Sequence, residues 1–477
     1  MSATFSRRAL LGGGSAAAVA ATAGWSSDRR RWSQRGPEDS GSRRKLIKGG
    51  YVLTMDGQLG DLRTGEVLID GERIVEVAAH VAASRAAGAD IIDATGMIVM
   101  PGLIDNHRHM WESLIRGFSS NHTFGEYFAQ VLFGISPRLT PDDVFLGNLL
   151  SAYESLDSGI TTILDWSHGT NTRDHAISAI EGLQQSGSRA VFAYGSPAAN
   201  SGRPDSPPTQ DDVRAAHALL ADDPLVQLAV ATSNPETSNF ARVAADIALA
   251  RELGVGVTMH AFGTARPSAP ERLSAAGLMG DDLTFIHCNS FTPGDFALVA
   301  AHGAHVSSAP EVEMQMGLGP APLTRMLAGG LHPTVSVDIV PAVGGELFTQ
   351  LRFMLQTQRM LDQQAAQQNG TPLTTLPVST RDVLPYATTH AAASLGLEDR
   401  IGSLTPGKQA DVIVVNALDL NLFLSEPSAA LVSAAHPGNV DTVLVAGRIV
   451  KRHKQLVGVN LGPLRRDAKT ARERLLA

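Results

Sequence analysis

Eight apolar, strand-length runs, each followed by a longer stretch of helical apolar spacing, constrain this chain more than any other feature. They end near His109, Trp166, Tyr194, Thr232, His260, His287, Ser308 and Asp338. Strand-length runs alternating with helical patterns signal βαβ units and a parallel sheet. Eight such units fit a (β/α)8 barrel of the TIM type over residues 98–404, whose chemistry sits where the C-terminal strand ends meet the loops. An open doubly wound sheet is the alternative. No Gly-x-Gly-x-x-Gly follows a first strand, which counts against it.

The flanks differ from the middle. Short β-like runs (Tyr51 to Met55, Glu66 to Ile69, Arg73 to Val77) are separated by the turn signals Asp56-Gly57 and Asp70-Gly71. Similar runs return at Asp411 to Val415 and Thr442 to Val450. Residues 45–97 and 405–460 are therefore expected to form one small β-sandwich built from both termini. Ahead of it, Ser6-Arg7-Arg8 opens a mild apolar stretch to Gly24, with Ala21-Thr22-Ala23 as a cleavage site. Residues 1–23 have the layout of a twin-arginine export signal, with a disordered basic tail as the plainer alternative. Residues 24–44 read as a flexible, Arg-rich linker. The expectation is a protein exported to the periplasm or the exterior, with no integral membrane segment once the signal is removed.

Residues 1–48 hold ten Lys/Arg against three Asp/Glu, so the remainder carries −15 within a total of −8. An acidic body argues against nucleic acid as partner and leaves a small-molecule substrate as the expectation. The single cysteine, Cys288, excludes an intrachain disulfide.

The strand ends carry the chemistry. His107 and His109 lie two apart, so in a strand they share a face. His260, His287 and Asp338 end three further runs. Five metal-type side chains would thus converge on one barrel mouth, where imidazole and carboxylate suit zinc or ferrous iron.

Pro101-Gly102-Leu103-Ile104-Asp105-Asn106-His107-Arg108-His109, with His260, His287 and Asp338, resembles the amidohydrolase superfamily, in its cytosine-deaminase-like and triazine-hydrolase-like branch. The stretch from Ala391 to Leu404 and Pro406-Gly407-Lys408-Gln409-Ala410-Asp411 resembles that group's return to its composite sandwich. The resemblance implies that His107, His109, His260 and Asp338 bind one divalent metal, with zinc favoured over iron. It further implies that Asp338 accepts the proton of the attacking water and that His287 polarises the carbon under attack. Analogy with the group also allows a homodimer. No lysine occurs between Lys48 and Lys408, which excludes the binuclear members bridged by a carboxylated lysine.

One position departs from the pattern. The group carries a glutamate three residues after the strand-five histidine, where it protonates the leaving nitrogen; here that position is Gly263. Glu311 and Glu313, in the loop after the seventh strand, are the candidate replacements, and they share a face if that stretch is extended. Glu313 is favoured, because it falls where related enzymes place a polar residue facing substrate; a solvated acidic loop is the alternative. His168, Trp111 and His122 are candidate substrate contacts from loops after the second and first strands. Arg108 points away from the metal face and is expected to pair with an acid.

These residues point to a metal-dependent hydrolase of a non-peptide carbon–nitrogen bond, by deamination or amide hydrolysis of a small N-heterocycle. A hydrolytic dehalogenase on a similar ring is the alternative within enzymes, since halide leaves without a proton. A non-catalytic barrel scaffold is the rival from outside them.

Overall fold

A computed structural model describes residues 43–197 and 208–477. The expected export signal and all but the last two residues of the expected linker lie outside the described residues. Arg44, at the linker's end, opens the first strand.

Five strands precede the barrel: β1 (Arg44–Val52), β2 (Leu62–Asp70), β3 (Arg73–Ala78), β4 (Asp90–Asp93) and β5 (Ile98–Pro101). Eight then follow one another as parallel neighbours: β6 (Leu103–Arg108), β7 (Ile160–Ser167), β8 (Arg189–Gly195), β9 (Val226–Thr232), β10 (Val257–Ala261), β11 (Leu283–His287), β12 (His305–Ser308) and β13 (Thr334–Val335). The last four are β14 (Val412–Val415), β15 (Val440–Val445), β16 (Arg448–Arg452) and β17 (Gln455–Leu456).

The eight-stranded parallel sheet closes through one bridge between Arg108 and Asp338, where the Asp338 amide donates to the His107 carbonyl (3.0 Å) and the His109 amide to the Asp338 carbonyl (2.9 Å). The fold is a (β/α)8 barrel. Every residue of β7 and β8 is buried, as expected of parallel strands covered on both faces. The helix Pro141–Asp157 shows how the covering layer is specified: Thr140 and Asp143 form a capping box, and proline occupies the first turn. Inside, Trp166 tops a small cluster of Leu164, Val191, Ala193, Ala229 and Ala231.

Both termini contribute to a second, mixed sheet of nine strands, in the order β17-β16-β15-β14-β5-β1-β2-β3 with β4 beside β1. β5 lies between β14 and β1, so this sheet reaches Pro101 and the barrel starts at Leu103. A buried ion pair joins the two: Arg189 on β8 grips Asp411 at 2.8 and 3.1 Å, and the same carboxylate accepts the Ala446 amide. A terminal helix, Leu461–Leu476, continues beyond residue 460.

The eighth strand is shorter than its apolar run suggests. β13 holds two residues, and Asp338 stands three positions beyond it at φ +68°. The chain must turn there so that its backbone meets β6, which cuts the strand short. Among the described residues no helix is long and apolar enough to cross a membrane.

Candidate metal centre and its cavity

Asp338 is the hub of the barrel mouth. Its Oδ1 lies 3.1 Å from His107 Nε2 and 3.4 Å from His109 Nε2, and its Oδ2 lies 3.8 Å from His287 Nε2. The His260 ring stands 4.9 Å from that of His107 and 5.3 Å from that of His109. Donor atoms of His107, His260, His287 and Asp338 all fall within 4.8 Å of one another. That group contains His287, expected to stand beside the metal, and omits His109, expected to bind it. Position alone does not separate the two rings; their second nitrogens do. His109 Nδ1 faces the Trp166 carbonyl at 2.7 Å, which fixes a tautomer with a free Nε2 lone pair. His287 Nδ1 instead faces the Glu313 carboxylate at 3.1 Å.

A tetrahedral ion held at about 2.0–2.1 Å sets its ligand atoms roughly 3.3 Å apart. The distances around Asp338 bracket that spacing, and His107 Nδ1 is buried without a hydrogen-bond partner. Neutral imidazoles also match what such an ion needs. Burial and the neighbouring His107 hold His109 down to about 3, and burial with the same neighbours keeps His260 well below its usual value. Burial alone would raise Asp338, but the His107 hydrogen bond and the surrounding imidazoles outweigh it and bring the carboxyl to about 2. For His287 burial works downward, and the Glu313 hydrogen bond with the charges of Asp338 and Glu313 reverses it, leaving the ring raised.

The backbone is strained at the same place. His287 (φ +76°), Cys288 (φ +57°) and Asp338 (φ +68°) are non-glycine residues in the left-handed region, each costing on the order of 1–3 kcal/mol. Asp105 helps hold the geometry: it accepts from Arg108 Nε at 2.8 Å and from the Val337 amide at 3.1 Å, tying the end of β6 to the segment that carries Asp338. Arg108 also reaches Glu154 at 3.7 Å, so its charge is directed away from the cluster.

A cavity of about 350 Å³ opens over these groups. Its lining combines aromatic rings, among them Phe124, Tyr127, Phe128 and Phe262, with polar side chains, Ser196, Ser233, Asn234, Thr237 and Ser238. Phe128 and Leu132 come from a π-helix, Phe128–Ile135, a form that is rare and concentrated at functional sites. The Phe262 ring lies parallel to that of His287, 5.1 Å away. Among the described residues lining the cavity there is no Lys or Arg, and Asp338 is the single acid.

The other expected site residues divide. His168 lines the cavity and stacks on His109 at 3.9 Å. Trp111 does not line it; its Nε1 donates to His168 Nδ1 at 2.9 Å from behind. His122 also stands outside the lining, with its ring edge against Phe118. The stretch holding Glu311 and Glu313 is helical (Pro310–Gln315) rather than extended, so the two do not share a face. Proline at the first helical position and two acids in the first turn favour that helix. Glu313 is fully buried: Oε1 faces His287 and accepts the Ala309 amide at 2.8 Å, and Oε2 accepts from Asn289 at 3.2 Å. Glu311 pairs with Gln350 at 3.0 Å and does not line the cavity. Neither carboxylate faces the cavity as a spare acid.

Several groups escape a sequence reading. Glu112, next to Trp111, accepts the Tyr127 hydroxyl at 2.6 Å, and burial pushes its carboxyl well up. Glu236, in the loop after β9, reaches the Gly263 amide at 2.8 Å. Its one sequence signal is an isolated acid in a Ser/Asn/Thr-rich loop.

Residues 98–450 match the model of the amidohydrolase family. The chain belongs to that family. It is 31% identical over 85% of its length to a 5-methylthioadenosine/S-adenosylhomocysteine deaminase of Symbiobacterium thermophilum, covering 93% of that protein. It is 28% identical over 91% of its length to a 5'-deoxyadenosine deaminase of Methanosarcina mazei, covering 98% of it. Two solved structures share the fold, each 23% identical over 90% of this chain with a TM-score of 0.79: an adenosine deaminase from Xanthomonas campestris with bound zinc, covered to 98%, and a zinc complex of an atrazine chlorohydrolase from Arthrobacter aurescens, covered to 99%. This amidohydrolase is a hydrolase of carbon–nitrogen bonds other than peptide bonds, and its His/Asp cluster is suited to a divalent metal.

Proposed function

We propose that this amidohydrolase deaminates an uncharged amino-heterocycle bearing an apolar substituent, and that zinc is its metal. The observation that carries this is the cavity: a His/Asp cluster at its base, aromatic side chains suited to a flat ring, a hydroxyl-rich loop in the same lining, and no described cation to hold a carboxylate or phosphate. The related deaminases act on adenine nucleosides, and neutral ones such as methylthioadenosine or 5'-deoxyadenosine match this lining better than the zwitterionic S-adenosylhomocysteine.

The residues divide the work. His107, His109 and His260 with Asp338 would hold the ion. When bound, it lowers the pKa of a water from 15.7 toward about 7. Asp338, kept ionised, is the proton acceptor beside the carbon under attack, and the same carboxyl is placed to return that proton to the departing nitrogen. His287, backed by Glu313, presents Nε2–H to the charge that develops on the ring. Phe262 and Phe128 exclude water from one face.

A second reading is hydrolytic removal of halide from a similar ring. It is favoured by one observation: position 263 is glycine, and no acid except Asp338 lines the cavity among the described residues. The test is a panel of neutral and charged aminopurine nucleosides with chlorinated analogues, scored for ammonia and chloride with zinc-loaded protein. Ammonia from neutral nucleosides is the expected result. Chloride release alone selects the second reading, and preference for S-adenosylhomocysteine overturns the substrate class.

A further inference from the structure

The loop after β9 carries a buried carboxylate to which the chemistry above gives no task. Glu236 is 8% exposed. Its Oε1 accepts the Gly263 amide at 2.8 Å and the Ala269 amide at 3.4 Å, while Oε2 has no hydrogen-bond partner. On its other side the same segment is held by the loop after β11: the Cys288 amide donates to the Ala261 carbonyl and the Ser290 amide to the Phe262 carbonyl, each at 2.9 Å. No slack remains between these restraints. Gly263 sits at φ +76°, and a Cβ there would lie 2.7 Å from the Ser290 carbonyl carbon and 2.8 Å from the Phe291 nitrogen. This is why position 263 accepts no side chain.

The segment so held carries Phe262, which lies over His287 and meets the edge of Phe124 at 5.4 Å. Glu236 itself is flanked by Asn234, Thr237 and Ser238, which belong to the polar part of the lining. One carboxylate therefore ties the loop that carries these polar lining residues to the peptide that follows Phe262. Its own atoms do not line the cavity.

We propose that Glu236 is a positioning residue: by accepting the Gly263 amide it locks the peptide after Phe262 and sets that ring, against the hydroxyls of its own loop, as the clamp for the substrate ring. This rests on the reading that a flat heterocycle occupies the cavity. The clamp acts on binding common to ground and transition states, so its loss appears in KM rather than kcat. It needs a hydrogen-bond acceptor and no charge, so an amide oxygen serves as well as a carboxylate.

The test compares Glu236→Gln, Glu236→Met and Glu236→Ala in the zinc-loaded enzyme, with thermal midpoint and metal content followed alongside. Methionine keeps the volume without the acceptor. KM should rise about tenfold in the Met and Ala variants, the loss of one buried hydrogen bond, with kcat within about threefold, and Gln should restore both. Hydrogen exchange across residues 259–266 should accelerate in Met and Ala and stay slow in Gln. Because that readout needs no turnover, it decides the clamp even if every nucleoside in the panel fails. An equal loss of kcat in Gln and Ala would make Glu236 a proton donor and overturn the proposal, as would unchanged KM and exchange in Met. If Met and Ala both fail to fold, Phe262→Leu should show the same rise in KM alone; a loss confined to kcat would overturn the clamp.

Discussion

The two ends of the barrel differ in a way that volume does not predict. The cavity at the N-terminal ends of the strands measures about 1160 Å³, against about 350 Å³ at the histidine-lined mouth. In the larger one the arginine is already paired: Arg251 grips Asp282 at 2.7 Å and donates to the Leu278 carbonyl. Just outside it, Arg189 and Asp411 neutralise each other. At the smaller mouth, donors crowd one point, left-handed backbone presents His287 and Asp338, and lone pairs face one another. Reactivity sits where polar groups converge without satisfying one another; stability sits where they pair off.

The largest expected effect is at the mouth. Removing the divalent ion with a chelator should abolish turnover, and added zinc should restore it; full activity of metal-free protein would erase the contrast. Asp338→Asn should follow, with kcat down about 10²–10⁴-fold in metal-loaded protein. Its thermal midpoint should hold, because asparagine tolerates the left-handed conformation that Asp338 adopts. At the other end, Arg189→Met should do the reverse: leaving Asp411 buried and unpaired costs about 3–5 kcal/mol of stability in denaturant melts, with kcat of the folded enzyme unchanged.

The acidic pair divides the same way on a smaller scale. Glu313→Gln should lower kcat about 10–100-fold by weakening the hold on His287, whereas Glu311→Gln should leave kcat within about twofold. Equal losses would place both at the reaction. The least effect concerns pH. Burial and the nearby Glu346 raise Glu311 from 4.5 to about 7. The folded state thus binds this proton more tightly than the unfolded chain. The associated stability is present below pH 4.5 and lost as pH rises through 7. Over that window the wild type should lose on the order of 1 kcal/mol relative to Glu311→Gln, after allowance for solvent screening.

Much of this was legible in the residues themselves. Seven of the eight barrel strands reach within a residue or so of where their apolar runs suggest, because a strand buried on both faces must be continuously apolar. His107 and His109 share a face by their spacing, and it is the strand-end His260, His287 and Asp338 that single them out as part of a cluster. Asp338 ends an apolar run that reads as strand, yet the backbone bends before it to close on β6. The helix at Pro310 has its signal in the proline and the acidic first turn, which outweigh the extended pattern. Glu236 was out of reach, because a hydrogen bond spanning 27 residues between two loops leaves no periodic trace. Trp111 and His122 show the same limit, since loop side chains take their direction from packing.

The placement of β5 between β1 and β14 has a consequence in time. During synthesis β5 emerges with one flank paired to β1 and the other bare, and its partner β14 lies more than 300 residues further along. At ribosomal rates of about 5–20 residues per second, that edge stays open for roughly 15–60 s. An unpaired edge of Ile98, Val99 and Met100 is an invitation to foreign strands over that interval. Yield should therefore depend on translation speed and chaperone supply more than on the stability of the finished enzyme.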